Sequence, residues 1–321
     1  MARQRTTNIP DGFLDAKTLL VTGALSVAGV GLALRQVRKE LPPRQVPLLG
    51  LSAAFLFAAQ MVNFPVAGGT SGHLLGGVLV AALLGPAAGV VVLTTVLMGQ
   101  CFLLGDGGVT ALEANVFNMA LVGTVSGWAI HRTMNRCLAG VRGRVAAVAF
   151  AGWCSTVLAS LACAGHLAWS GTVQWSVGFT AMTGIHILIG LGEGLINALA
   201  FLAIAGTRPE LASLPDQNPA SSRIGGVVGF GLVVSTGLAV FVAPFAHPWP
   251  DGLERVAARL GFEHKAGRVM LPAPLRDYAL PGCKSAAVAT AVAGAAGALV
   301  VFGLALLLSR TLVPKPAGGD P

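Results

Sequence analysis

The stretch Asn63-Phe64-Pro65-Val66-Ala67-Gly68-Gly69-Thr70-Ser71-Gly72-His73-Leu74-Leu75-Gly76-Gly77 interrupts what is otherwise a long apolar run. Five glycines and one proline break it. Irregular backbone at membrane depth is tolerated only where protein or a cavity satisfies its N–H and C=O groups, because lipid cannot. Inside the break sits His73, flanked by Ser71, Gly72 and Leu74. Its imidazole reads in two ways: as a metal ligand, or as a ring bonded to a carbonyl in a tight turn. An ionisable residue at this depth is a functional candidate by default.

The composition around this break is that of a membrane protein. Charged residues make up 11% and hydrophobic residues 54%, with a mean hydropathy of +0.75; soluble domains carry about 25% charged residues. Several apolar runs reach the roughly 20 residues that span a bilayer. Runs are read over 18–34, 46–62, 74–84, 86–104, 114–130, 145–164 and 177–205. Residues 207–223, with Pro209, Pro215 and Pro219, read as a linker. Two further runs, 224–243 and 285–308, flank a polar excursion over 244–284, in which Asp251 caps a short helix carrying Leu253, Val256, Ala257 and Leu260 on one side. The expected fold is an all-α polytopic membrane protein, with a seven-span bundle over 1–206, a cytoplasmic linker over 207–223, and a two-span module with an extracytoplasmic loop over 224–321.

Charge sets the expected orientation. With the N-terminus outside and the C-terminus in the cytoplasm, cytoplasmic segments carry 12 of the 21 Lys and Arg residues and the short outer connections carry none. The net charge of +8 follows from that placement rather than from a nucleic-acid partner. Cysteines 101, 137, 154, 163 and 283 form no C-x-x-C pair, and give neither a disulfide framework nor a zinc spacing. A Gly-x-x-x-x-Gly-Lys-Ser/Thr loop is absent, so ATP is not expected to bind this chain.

Further polar residues stand in apolar context. Asn63 and Ser71 flank the break, Glu113, Asn115 and Asn118 open the fifth run, and His186, Glu193 and Asn197 lie in the seventh. His186 and Glu193 share one helix face two turns apart. Such groups line a path, form an outer layer around His73, or pair with one another and hold helices together. In the first run, Ala24-x-x-x-Ala28 and Gly29-x-x-x-Ala33 permit close helix approach, for a docked membrane partner or for internal packing.

Ile9 to Leu14, Phe55 to Met61, Asn63 to Gly77, Thr110-Ala111-Leu112, Asn115 to Met119, and His186 to Gly194 together resemble the CbiM/NikM family over residues 8–206. These are substrate-specific membrane subunits of cobalt and nickel energy-coupling factor (ECF) transporters. Pro250-Asp251-Gly252-Leu253-Glu254 and Asp277-Tyr278 resemble the small NikN/CbiN-type subunit, here fused. The resemblance implies Ni²⁺ or Co²⁺ as substrate, and as partners a transmembrane coupling subunit and two cytoplasmic ATPases. It also implies a near-planar nitrogen site made by a terminal amine, the amide and imidazole of the second residue, and a loop histidine matching His73. Asn8 occupies the place of that second-residue histidine, behind seven further residues. An amide is a poorer donor for these ions than imidazole. The alternatives are a stand-alone channel or secondary carrier, a family member without nickel or cobalt binding, and a membrane enzyme or structural relic.

Overall fold

The computed structural model describes residues 7–212, 224–267 and 270–313. The N-terminal arm before Thr7, most of the expected linker (213–223) and the polar tail after Val313 lie outside them.

Asp15 starts helix α1 (Ala16–Glu40) by accepting the Thr18 N–H, and Pro42-Pro43 end it. Helix α2 (Val46–Gln60) leads into the glycine-rich break. There the chain forms a small antiparallel hairpin, β1 (Phe64–Val66) with β2 (Thr70–Gly72), pairing Phe64 with Gly72 and Val66 with Thr70. Helix α3 (Gly77–Leu84) then turns at Gly85-Pro86 into α4 (Pro86–Gly99), which continues as a π-helical turn over Gln100–Leu104. Helical backbone runs without a break from Leu112 to Cys137, as α5 (Leu112–Asn115), a π segment and α6 (Thr124–Cys137). The long helices α7 (Gly140–Trp169) and α8 (Trp175–Thr207) pack side by side, and the short α9 (Pro209–Ala212) follows. Helix α10 (Ile224–Phe241), the short α11 (Gly252–Leu260) and α12 (Ala286–Leu312) complete the chain.

The architecture is that of an all-α polytopic membrane protein. Among the described residues, six helices are long and apolar enough to cross a membrane: α1, α4 with its π turn, α7, α8, α10 and α12. Helices α2 and α3 are shorter than the apolar runs suggested. The run read from Leu74 becomes helical only at Gly77, since Gly76 takes a left-handed conformation (φ 74°) and the N–H groups before it bond elsewhere. Leu20, Val27, Leu32, Leu191, Phe230 and Phe241 point outward, as side chains facing hydrocarbon do.

The core is built of small and branched residues. Leu49, Ala53, Leu56, Phe57, Val92, Leu93 and Val96 are fully buried where α2 and α4 meet. Helices α10 and α12 dock on α2, with Gly297 lying directly against the Phe57 ring. A separate cluster closes one end of the molecule: Ile9, Phe13 and Leu14 from the N-terminal segment, Leu167 and Met182 from α7 and α8, and Leu253, Val256 and Phe262 from the excursion after α10. Helix α11 therefore buries its apolar face, with Asp251 and Glu254 forming a reciprocal capping box at its start.

Candidate metal site

Two strands of chain meet beneath that end cluster. The first carries His73. Glu193 of α8 is completely buried, and its carboxylate accepts the N–H groups of Leu75 at 2.6 Å and Gly76 at 3.0 Å. Asn197, one turn on, donates to the same carboxylate at 2.7 Å. Gly76 is required here twice over, by its positive φ and because any side chain would run into Leu56. The loop after His73 is thereby held from two sides. The His73 ring bonds the Leu74 carbonyl through Nδ1 at 3.2 Å. A carbonyl can only accept, so Nδ1 carries the proton and Nε2 keeps its lone pair. A turn-bonding role and a free ligand nitrogen coexist in one side chain.

The second strand carries Asn8. Asp106, 1% exposed in the turn after α4, accepts the Thr7 N–H and hydroxyl, both at 2.7 Å, and the Asn8 N–H at 3.3 Å. Asn115 brackets Ile9, accepting its N–H at 2.9 Å and donating to its carbonyl at 3.1 Å. Asp11 accepts from the Thr110 N–H at 2.8 Å and hydroxyl at 2.6 Å. A relay of amides joins the two strands. Asn8 donates to Gln100 at 3.4 Å, Gln100 to Gln60 at 2.7 Å, and Gln60 to the Leu75 carbonyl at 2.9 Å.

The excursion after α10 roofs both strands. Ser71 donates its hydroxyl to the Trp249 carbonyl at 2.7 Å and its N–H to the Pro250 carbonyl at 2.8 Å. The Asn63 carbonyl accepts from His247 N–H at 2.9 Å. Over the N-terminal segment, Gly267 N–H reaches the Asp11 carbonyl at 2.6 Å, and the Phe13 and Phe262 rings meet edge to face at 5.2 Å. Two successive non-glycine residues in the left-handed region, Asp277 and Tyr278 (φ 54° and 59°), bring the Tyr278 hydroxyl to Asp106 at 2.8 Å. Asp251 Oδ2 stands 4.0 Å from His73 Nε2.

Between these parts lies a cavity of about 90 Å³, lined by Asn8, His73, Asn118, His186 and Asp251 among others. The side-chain oxygens of Asn8 and Asn118 are buried there without a hydrogen-bond partner. His186 donates from Nδ1 to the Met182 carbonyl at 2.7 Å. Its Nε2 faces Gly252, where a Cβ would come within 2.7 Å of it. Burial pushes the His73 imidazole below its ordinary range and the Asp251 carboxyl well above its own. Among the described residues no three His, Cys, Asp or Glu side chains stand together as a ligand set. A larger cavity of about 390 Å³, lined by Asp11, Cys101 and His264, does not include His73.

The residues singled out from the sequence thus separate into groups. Asn8, His73, Asn115, Asn118 and His186 line the cavity. Glu193, rather than pairing with His186, secures the His73 loop, while Ser71 and Asn63 secure the roof. Glu113 lies elsewhere: its side chain is exposed beside Gly23 of α1, and its carbonyl accepts from Ser26 at 2.6 Å. Ala24 and Ala28 are exposed on α1, whereas Gly29 abuts Leu121 and Ala33 is buried. Gln100 and Asp106 stand outside the candidates that the sequence offers, and Asp251 reads there as a helix cap and part of the Pro250–Glu254 motif. A lone Gln at the end of an apolar run was the available signal for the first.

Comparison with known proteins places this arrangement. Residues 8–211 match the CbiM profile, "Cobalt uptake substrate-specific transmembrane region", and residues 225–313 match the PDGLE domain. A putative fused nickel transport protein NikMN of Archaeoglobus fulgidus is 35% identical over 94% of this chain and 98% of its own length. The fused nickel transport protein NikMN of Rhodobacter capsulatus is 30% identical over 97% of this chain and 100% of its own. The crystal structure of a truncated transition metal transporter aligns with a TM-score of 0.57 at 32% identity, covering 63% of this chain and 99% of that one. The chain therefore belongs to the CbiM/NikM family, with a PDGLE module fused at its C-terminal end.

Proposed function

We propose that this chain is the substrate-binding membrane subunit of an ATP-driven importer for nickel or cobalt ions. In this reading an ECF coupling subunit and two cytoplasmic ATPases supply the energy, and the chain itself binds no ATP. One observation carries the proposal: His73, with Nε2 free, lines a small cavity and is presented by a loop that a buried carboxylate anchors. The nickel transport proteins named above lend support, being similar along nearly the full chain. The division into 1–206, 207–223 and 224–321 belongs to the same reading. So does an orientation in the cell membrane with the N-terminus outside and the C-terminus in the cytoplasm, which puts the cavity and its roof on the outer side.

The test is uptake of radioactive nickel and cobalt by cells expressing the chain with and without partner ATPases. Uptake is expected only with them, and His73→Ala is expected to abolish it. Full uptake in cells lacking every such ATPase would favour a stand-alone carrier. Reporters after Leu308 and near His264 should read cytoplasmic and extracytoplasmic; the reverse at both positions overturns the orientation.

A further inference from the structure

We propose that Asp251 of the PDGLE module is itself a donor to the bound ion, so that the fused module completes the site that the rest of the chain leaves short. This rests on the reading of His73 as a metal-binding residue and extends it to a residue more than 170 positions away in the chain. The two polar atoms concerned are His73 Nε2 and Asp251 Oδ2, 4.0 Å apart. That is too long for a hydrogen bond. It is a separation that two donors each about 2.0–2.2 Å from one first-row ion can adopt at a wide angle. Neither atom is spent on the bond that fixes its side chain in place. His73 spends Nδ1 on the Leu74 carbonyl, and Asp251 spends Oδ1 on the Glu254 N–H at 2.9 Å.

A second, independent observation points to a cation. The side-chain oxygens of Asn8 and Asn118, each residue only 3% exposed, are buried and unpartnered on the same cavity. Buried polar atoms are nearly always satisfied, and a partner to two orphaned oxygens must be a donor or a positive ion. One imidazole nitrogen with a carboxylate and amide oxygens is an oxygen-rich set. Such sets favour octahedral coordination with water, in place of the planar all-nitrogen arrangement that a histidine at position 8 would supply. At about 90 Å³ the cavity has room for an ion and one or two waters. As a metal-bound carboxylate, Asp251 supplies a negative charge that His73 and the amides lack.

The test uses the purified full chain in detergent, titrated with Co²⁺ and Ni²⁺ at one fixed pH. Asp251→Asn and Asp251→Ser both retain a helix-capping side chain while removing the charge. Each should weaken Co²⁺ binding by at least the roughly 10–100-fold that loss of even an outer-shell partner costs. Each should also alter the visible d–d spectrum of the bound Co²⁺, which a merely structural role would not do. On wild type, X-ray absorption should show a six-coordinate ion with a single imidazole. Wild-type affinity and an unchanged spectrum in both Asp251 variants would overturn the proposal, provided His73→Ala abolishes binding. Undiminished binding in His73→Ala would instead overturn the underlying site reading. A wild-type absorption spectrum showing a planar, four-coordinate nitrogen site defeats the proposal whether or not the variants fold.

Discussion

The two strands that meet at the cavity are supported equally well and equipped unequally. Around His73, Glu193 and Gln60 fix the backbone and an imidazole faces inward. Around Asn8, Asp106 and Asn115 fix the backbone just as firmly, yet the side chain facing inward is an amide. Scaffold and donor are separable. Most of the hydrogen bonds that shape the N-terminal strand run to the main chain of Thr7, Asn8 and Ile9; the side-chain exceptions are the Thr7 hydroxyl on Asp106 and the long contacts of the Asn8 amide, at 3.4 Å, with Gln100 and Asp106. A substitution at position 8 changes the chemistry offered to an ion and the Asn8 end of the amide relay, while leaving the main-chain bonds to Asp106 and Asn115.

The largest expected effect comes from removing that inequality. Deleting residues 1–6 with Thr7→Met and Asn8→His creates a Met-His-Ile-Pro-Asp-Gly start on a strand already held in place. Two or three added nitrogen donors should raise nickel affinity by several orders of magnitude, since complete sites bind with roughly 10 kcal/mol or more. Titration at fixed pH against wild type measures the gain. An unchanged affinity means that the N-terminal strand does not present donors to the ion bound at His73, and the comparison of the two strands loses its chemical content.

A smaller effect is expected on the better-equipped strand. Glu193→Ala strips the Leu75 and Gly76 N–H groups of their acceptor in a fully buried place. Each orphaned group costs about 1–3 kcal/mol, so thermal denaturation in detergent should show a clear loss of stability, and metal affinity should fall as the His73 loop loosens. Glu193→Gln keeps one acceptor oxygen and should lie between. Unaltered stability in Glu193→Ala would show that the loop is held by the PDGLE roof rather than by α8.

The difference between the strands is only half legible in the sequence. His73 stands out because an ionisable ring inside a glycine-rich break at membrane depth is costly unless it serves a site, and the apolar runs stand out because hydrocarbon demands them. The Asp251 cap is legible because capping is local, set within four residues. What escapes is long-range. Ser71 and Trp249 bond across 178 positions, and nothing in either neighbourhood announces the other. Asp106 looks like a turn residue in Gly-Asp-Gly-Gly, and its work on Thr7 and Tyr278 exists only once three distant segments converge. The hairpin at Phe64–Gly72 is hidden because strands of three residues, one of them containing Pro65, carry no alternation to read.

The smallest expected effect on the chain itself concerns a region outside both strands, and serves as their control. Helix α1 turns Thr18, Thr22, Ser26 and Ala33 inward, while Ala24 and Ala28 lie on its open side. Small residues permit close approach of another helix, and the inward Gly29 already uses that freedom against Leu121. On the outward side, Ala24 and Ala28 stay exposed among the described residues. The double variant Ala24→Leu, Ala28→Leu should therefore leave thermal stability within about 0.5 kcal/mol of wild type, as exposed substitutions usually do, and metal affinity at both strands unchanged. If α1 docks the coupling subunit through these alanines, the added bulk should sharply reduce co-purification of that subunit and metal uptake with it. Normal assembly in the double variant would assign the partner to another face. A marked loss of stability in the isolated chain would instead show that this side of α1 packs within the protein, and that the small residues serve the fold alone.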